Sequence, residues 1–131
     1  MLSKLIDKIF YRRKLASYEV GELGEDIACA YLKSKGYKIL NRNVKMRRNE
    51  IDIVATDNKR AIFVEVKTRT NSNYSAYFEV DSEKEERIRR ASELFLMKRD
   101  VEDLERRYDV IEVYVTTHGK FISLEHHEGA F

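Results

Sequence analysis

Apolar positions along this chain change period several times, and each change marks a new element. Leu2, Leu5, Ile6, Ile9 and Phe10 form a stripe at helical spacing, with Lys4, Lys8, Arg12, Arg13 and Lys14 mostly off it, which predicts an amphipathic helix over residues 1–16. A second helix is predicted from Ser17 or Val20 to Lys35. Val20, Leu23, Ile27, Ala30 and Tyr31 form its inner stripe, Lys33 and Lys35 fall in its last turn, and Gly36 follows as the stop. Period two then takes over. Tyr37–Leu40 begins a strand, the basic stretch Lys45–Arg48 turns the chain, and Glu50–Thr56 and Ala61–Thr68 alternate as a hairpin about Asp57-Asn58-Lys59-Arg60. Ser82 with Glu85 reads as a capping box for a third helix buried along Ile88, Ala91 and Phe95. Asp100–Arg107 reads as a further helical turn or two. Strands follow at Tyr108–Thr116 and Lys120–Leu124, joined at His118-Gly119. This order predicts an α/β fold: a central mixed sheet of about five strands flanked by helices, with the third helix as the crossover that a parallel neighbour requires. Residues 1–16 would be a helical extension and 17–131 the domain proper.

The central hairpin carries charge where a core strand should be apolar. Glu50, Asp52, Val54 and Thr56 share one face of the first strand, opposite Ile51, Ile53 and Ala55. Ala61, Phe63, Glu65 and Lys67 share one face of the second, opposite Ile62, Val64, Val66 and Thr68. A turn centred on Asn58 and Lys59 sets Asp52 opposite Glu65 and Glu50 opposite Lys67. Facing residues have Cβ atoms roughly 4.5–5.5 Å apart, so two carboxylates and an ammonium converge. Charges on a sheet face are commonly solvent decoration. Here, however, Val54 and Phe63 share the face, and like charges set opposite each other need a positive group between them, either Lys67 or a divalent cation.

Composition narrows the class. The chain has 131 residues, 37% of them charged, no proline and a single cysteine, Cys29. That describes a soluble single domain with no intrachain disulfide framework, as expected in a reducing cytoplasm. The first helix is too short and too charged to span a bilayer, so no stable membrane insertion is expected. Net charge is only +2, but residues 1–48 carry 12 Lys/Arg against 5 Asp/Glu. Between Asp26 and Glu50 there is no acid, only Lys33, Lys35, Lys38, Arg42, Lys45, Arg47 and Arg48. A basic run beside a carboxylate cluster fits a polyanion held next to a metal, with ordinary solvated side chains as the alternative. The segment TNSNYSAYFEV interleaves Tyr74, Tyr77 and Phe78 with small polar residues. It suits contact with a nucleic-acid backbone and unstacked bases, or serves as a plain crossover loop.

Asp52 followed by Glu65-Val66-Lys67 on the next strand, with Glu25 on a preceding helix, resembles the PD-(D/E)XK nuclease superfamily. Gly24-Glu25, Ala28, Leu32, Gly36-Tyr37, Asn43, Glu50-Ile51-Asp52, Phe63 through Arg69, Lys84 with Arg87, Asp109-Val110 and Ala130-Phe131 resemble more closely the YraN family of uncharacterised, predicted endonucleases, itself similar to archaeal Holliday-junction resolvases. The resemblance covers roughly residues 20–131 and departs at Asn49 and Tyr108, where the family usually has Gly and Phe. It implies a restriction-endonuclease-like core and a metal-dependent endonuclease acting on DNA, at branched or recombination intermediates. It further implies Mg²⁺ or Mn²⁺ held by Asp52, Glu65 and the Val66 carbonyl, with Glu25, Asp52, Glu65 and Lys67 as catalytic residues. Lys67 would position or deprotonate the attacking water, and Glu25 would orient it or join a second metal. Nucleic-acid contacts are expected from Lys45, Arg47, Arg48, Arg69, Lys84 and Arg87. The alternative function is a non-catalytic nucleic-acid-binding or scaffold protein with a vestigial nuclease fold. A homodimer is also expected, from the uncovered stripe Leu2–Phe10, the aromatic loop and the paired active sites of resolvases.

Overall fold

The computed structural model of the chain describes residues 13–70 and 81–131. Among these, the elements run α1 Ser17–Ser34, β1 Lys38–Met46, β2 Asn49–Thr56, β3 Arg60–Arg69, α2 Ser82–Lys98, β4 Glu105–Val115 and β5 Phe121–His127. The expected helix over residues 1–16 and the aromatic loop Tyr74–Phe78 lie mainly or wholly outside the described residues. The last described part of the extension, residues 13–16, is not helical, and Leu15 is buried in the main core with its N–H donating to Thr117 C=O at 2.8 Å. Its place is therefore with the domain.

The strands form one sheet in the order β1-β2-β3-β4-β5. All neighbours are antiparallel except β3 and β4, which run parallel and are joined through α2. This is the mixed, helix-flanked sheet of a restriction-endonuclease-like core. Both faces are apolar because each is covered. Leu23, Ile27, Ala28 and Leu32 of α1 pack on Ile53, Ala55, Ile62, Val64, Ile111, Val113 and Val115. Ile88, Ala91, Phe95 and Leu96 of α2 pack on Val54, Ala61, Phe63 and Tyr108. At the end of the chain, Ala130 N–H donates to Tyr108 C=O at 2.7 Å and the Phe131 ring stacks on Tyr108. Cys29 is buried on α1, as a small apolar residue would be.

Four local expectations change. The cap of α2 is Asp81, whose carboxylate accepts from Lys84 N–H at 2.8 Å, so the helix starts at Ser82 and the Ser82–Glu85 box does not form. Asp81 and Ser82 are both good caps, and the charged one takes the position. Residues 100–104 make turns rather than a helix, with Asp100 at φ 58, and β4 already begins at Glu105. β1 extends well past Leu40 to Met46, through a bulge between Ile39 and Asn41. Ile51 packs with Val54 under α2 rather than with Ile53 under α1, because β2 loses regular pairing around Asp52.

Candidate metal and nucleic-acid site

The β2–β3 ladder pairs Thr56 with Ala61 through Ile53 with Val64, in the register the turn predicted, and stops there. Beyond that point a side chain replaces the backbone partner: Asp52 Oδ2 accepts from Val66 N–H at 2.8 Å. In a strand, the N–H and C=O of one residue face the same neighbour, so the Val66 carbonyl faces the same gap between β2 and β3. Asp52 and Glu65 therefore meet at a break in the sheet. Both line a cleft of about 270 Å³, with Glu50 and Asn49 beside them.

Charge is concentrated here and partly removed from water. Burial, and next the charge of Glu65, push the Asp52 carboxyl up to about 7, against the opposing Val66 N–H bond and the more distant Lys84. Glu65 is 9% exposed, and its Oε1 accepts a bond from Lys84 Nζ at 2.7 Å. Lys67 stands half-buried beside Glu65, its ammonium pulled below the ordinary lysine range by burial first and by Lys84 second. The expected pair of Glu50 and Lys67 does not form. Glu50 faces Lys45 on β1 instead, because the β2–β3 ladder has ended before it.

Glu25 reaches the site from the other side of the sheet. Gly24 makes this approach possible, since a Cβ there would overlap the Thr68 side chain on β3. Burial raises the Glu25 carboxyl, opposed by Arg42 and a bond to Asn43 and reinforced by Glu50. Glu25 does not line the cleft; its charge reaches Asp52 as a minor influence. The basic residues divide. Arg48, Lys84 and Arg87 line the cleft. Lys45 and Arg47 are exposed in the β1–β2 hairpin outside it, Arg47 at φ 59. Arg69 lies at the far end of β3, beside Tyr114 of β4, and does not line the cleft. Arg42, part of the acid-free run, binds Asp26 at 2.8 Å.

Two buried polar clusters escaped the sequence. Asp109, fully buried, accepts from Arg107 Nε and Nη2 at 2.8 Å, from Gly129 N–H at 3.0 Å, and bonds His126 Nε2 at 2.7 Å. The other His126 nitrogen meets the Tyr31 hydroxyl at 3.0 Å. Burial alone would raise the Asp109 carboxyl, but its bonds to His126, Arg107 and Gly129 N–H hold it below its ordinary value. His127 projects to the opposite face, 2.9 Å from Oε1 of the fully buried Glu112, whose other oxygen accepts from the Tyr114 hydroxyl at 2.9 Å. Ligand atoms of Glu112, Glu125 and His127 lie within 4.8 Å of one another. Asp109, which stands among the residues that carry the family resemblance, and the adjacency of His126 and His127 were the signals available for these clusters. The adjacency could not tell that alternation sends the two rings to different partners.

Comparison with known proteins places relatives along most of the chain. The model of the uncharacterised protein family UPF0102 matches residues 24–113. A UPF0102 protein of Geobacter metallireducens is 42% identical over 118 residues, covering 89% of this chain and 95% of its own. One from Alkaliphilus oremlandii is 40% identical over 116 residues, covering 86% and 97%. One from Caldanaerobacter subterraneus is 39% identical over 104 residues, covering 79% and 85%. Among the described residues no helix is long and apolar enough to cross a membrane.

Proposed function

The chain belongs to the uncharacterised protein family UPF0102, and from its site we propose that it is a metal-dependent endonuclease hydrolysing DNA phosphodiester bonds. One observation carries the proposal: a paired-carboxylate floor, Asp52 and Glu65, set at a break in the sheet beneath a rim of Arg48, Lys84 and Arg87. The donor set fits a hard divalent cation. Two carboxylates and the Val66 carbonyl offer only oxygen, which suits Mg²⁺ or Mn²⁺. The Asp52 carboxyl is raised by burial first and by the charge of Glu65 second, so a cation bound there would be taken up in competition with a proton. When bound, such a cation would supply Lewis-acid stabilisation of the phosphoryl oxygens and a more acidic water.

The remaining roles fall to the chain's own groups. Asp52, Glu65 and the Val66 carbonyl would hold the cation, and the Val66 N–H fixes the Asp52 carboxylate. Lys67 does not line the cleft itself but stands beside Glu65 on β3, its ammonium lowered by burial first and by Lys84 second, and would hold or accept a proton of the attacking water. Arg48 and Arg87 would hold the phosphates on either side of the scissile bond, where their guanidinium forks match phosphate geometry. Glu25 would orient water from the α1 side, behind Asp52. Branched DNA is the substrate form to try first, because the resemblance to resolvases points there.

The test is cleavage of duplex, single-stranded, flap and four-way-junction DNA with Mg²⁺, Mn²⁺ or EDTA. Cleavage that needs the metal, and that Glu65→Ala abolishes while DNA binding survives, is the expected result. Equal cleavage by Glu65→Ala would remove Glu65 from the site. Binding without cleavage on every substrate would favour the scaffold reading.

A further inference from the structure

We propose that Lys84 is the resident counter-ion of the metal site, displaced by the incoming cation and thereby released to contact DNA phosphate. The inference rests on the metal-site reading above and deepens it. Lys84 Nζ sits 2.7 Å from Glu65 Oε1, where the Glu65 side chain is 10% exposed and the Lys84 side chain 33%. A divalent cation held by the same carboxylate would set two positive groups within a few ångströms of each other, and their repulsion favours opening the ion pair as Glu65 becomes a ligand.

The local architecture allows the switch at small structural cost. Lys84 occupies the third position of α2, and its backbone N–H is held by the Asp81 cap at 2.8 Å. The backbone therefore stays fixed, and the flexible four-carbon stem alone needs to swing. The destination lies within the same cleft, which Arg48 and Arg87 also line. Lys67 adds a reason to leave. A divalent cation held by Asp52 and Glu65 would add a second positive neighbour to the Lys84 ammonium, which already interacts with Lys67. In the metal-free protein, then, one of the rim's three cations is bonded inward. Metal binding would turn it outward and complete the phosphate-binding rim.

Two measurements test this on the full-length chain. The first is calorimetric titration with Mn²⁺ at pH 8.5, with Glu65→Gln as the control that subtracts binding elsewhere, including at Glu112, Glu125 and His127. Breaking a charged hydrogen bond costs enough that Lys84→Met should bind Mn²⁺ about tenfold more tightly than the natural chain. Lys84→Gln serves as a second variant if the first fails to fold. The second measurement is the salt dependence of binding to an intact duplex, with Ca²⁺ or with EDTA. The natural chain should exceed Lys84→Met by about one unit of slope with Ca²⁺ and by nothing in EDTA. Mn²⁺ binding to Lys84→Met that is equal or weaker, or a slope difference already present in EDTA, would overturn the switch. Absence of Mn²⁺ binding above the Glu65→Gln control in both chains would instead overturn the metal-site reading beneath it.

Discussion

Replacing Asp52 by Asn should make the metal-free protein more stable at pH 8, by an amount that shrinks as the pH is lowered. In the folded chain the Asp52 carboxyl moves from an ordinary 3.8 to about 7, through burial first and the charge of Glu65 second. Between those values the folded state holds a proton that the unfolded chain has released. Stability therefore falls as pH rises through this window and levels off above the folded value. A rise of about three pH units corresponds to about 4 kcal/mol, at about 1.4 kcal/mol for each. About two of the three lie between pH 5 and 8, so the natural chain should lose about 2–3 kcal/mol across that span through this group. Asn keeps an oxygen to accept from Val66 N–H, has nearly the same shape and cannot ionise.

The assay is urea unfolding of both chains at pH 5 and pH 8 in EDTA. Every other titrating group is common to the two proteins, so the double difference reads Asp52 together with its electrostatic coupling to Glu65. Asn should gain about 2–3 kcal/mol over Asp between the two pH values, and Mg²⁺ should close the gap by stabilising only the natural chain. Parallel pH dependences in the two chains would refute the reasoning, because burial and the charge of Glu65 would then not be raising the Asp52 carboxyl.

Neutralising Lys45, Arg47 and Arg48 together should weaken DNA binding across sequences and flatten its salt dependence, the slope falling by about 1 for each phosphate no longer neutralised; an unchanged slope in anisotropy titrations would return them to solvent. Asp109→Asn removes the buried charge that faces Arg107 and puts an amide NH₂ where one of the two oxygens accepted, and should cost about 3–5 kcal/mol in urea unfolding. Because the Asp109 carboxyl is held low, its contribution is present above the ordinary carboxylate range and disappears as pH falls, so the deficit should narrow in acid.

What the sequence revealed follows from what is local in it. The hairpin register needed only the turn at Asn58 and Lys59, so the convergence of Asp52 and Glu65 could be worked out by counting. β2 and β3 were readable because their alternating residues go to two covered faces. β1 was readable only at its start, since as an edge strand it exposes Asn41, Arg42 and Asn43 in part or in full and carries a bulge that breaks alternation. Residues 100–104 misled because Val101 and Leu104 have helical spacing, yet Asp100 takes a left-handed conformation that ends α2. Counting also assumed that a ladder continues to the ends of its strands. That assumption produced the pair of Glu50 and Lys67.

The break that defeated this pairing is also what makes the site. A regular ladder through Asp52 and Glu65 would use the Val66 N–H and C=O on β2 backbone, leaving no inward oxygen except the carboxylates. By handing the Val66 N–H to the Asp52 side chain, the chain orients a carboxylate and turns a main-chain carbonyl to the same gap. The opening has to be braced, and the brace comes from the other face. With no side chain at Gly24, α1 lies directly on Thr68, two residues beyond Val66 on β3, and carries Glu25 towards the back of Asp52. The third element of the site, α2, is set by the Asp81 cap so that Lys84 and Arg87, one turn apart, enter the cleft from above. The first two of these relations have no fixed spacing in sequence, because each joins separate elements across the fold; only the cap of α2 on Lys84 is local. Residue types at a distance suggested which side chains to look for; only packing determined that Lys84, placed by sequence among the DNA contacts, is bonded to the carboxylate a metal would need.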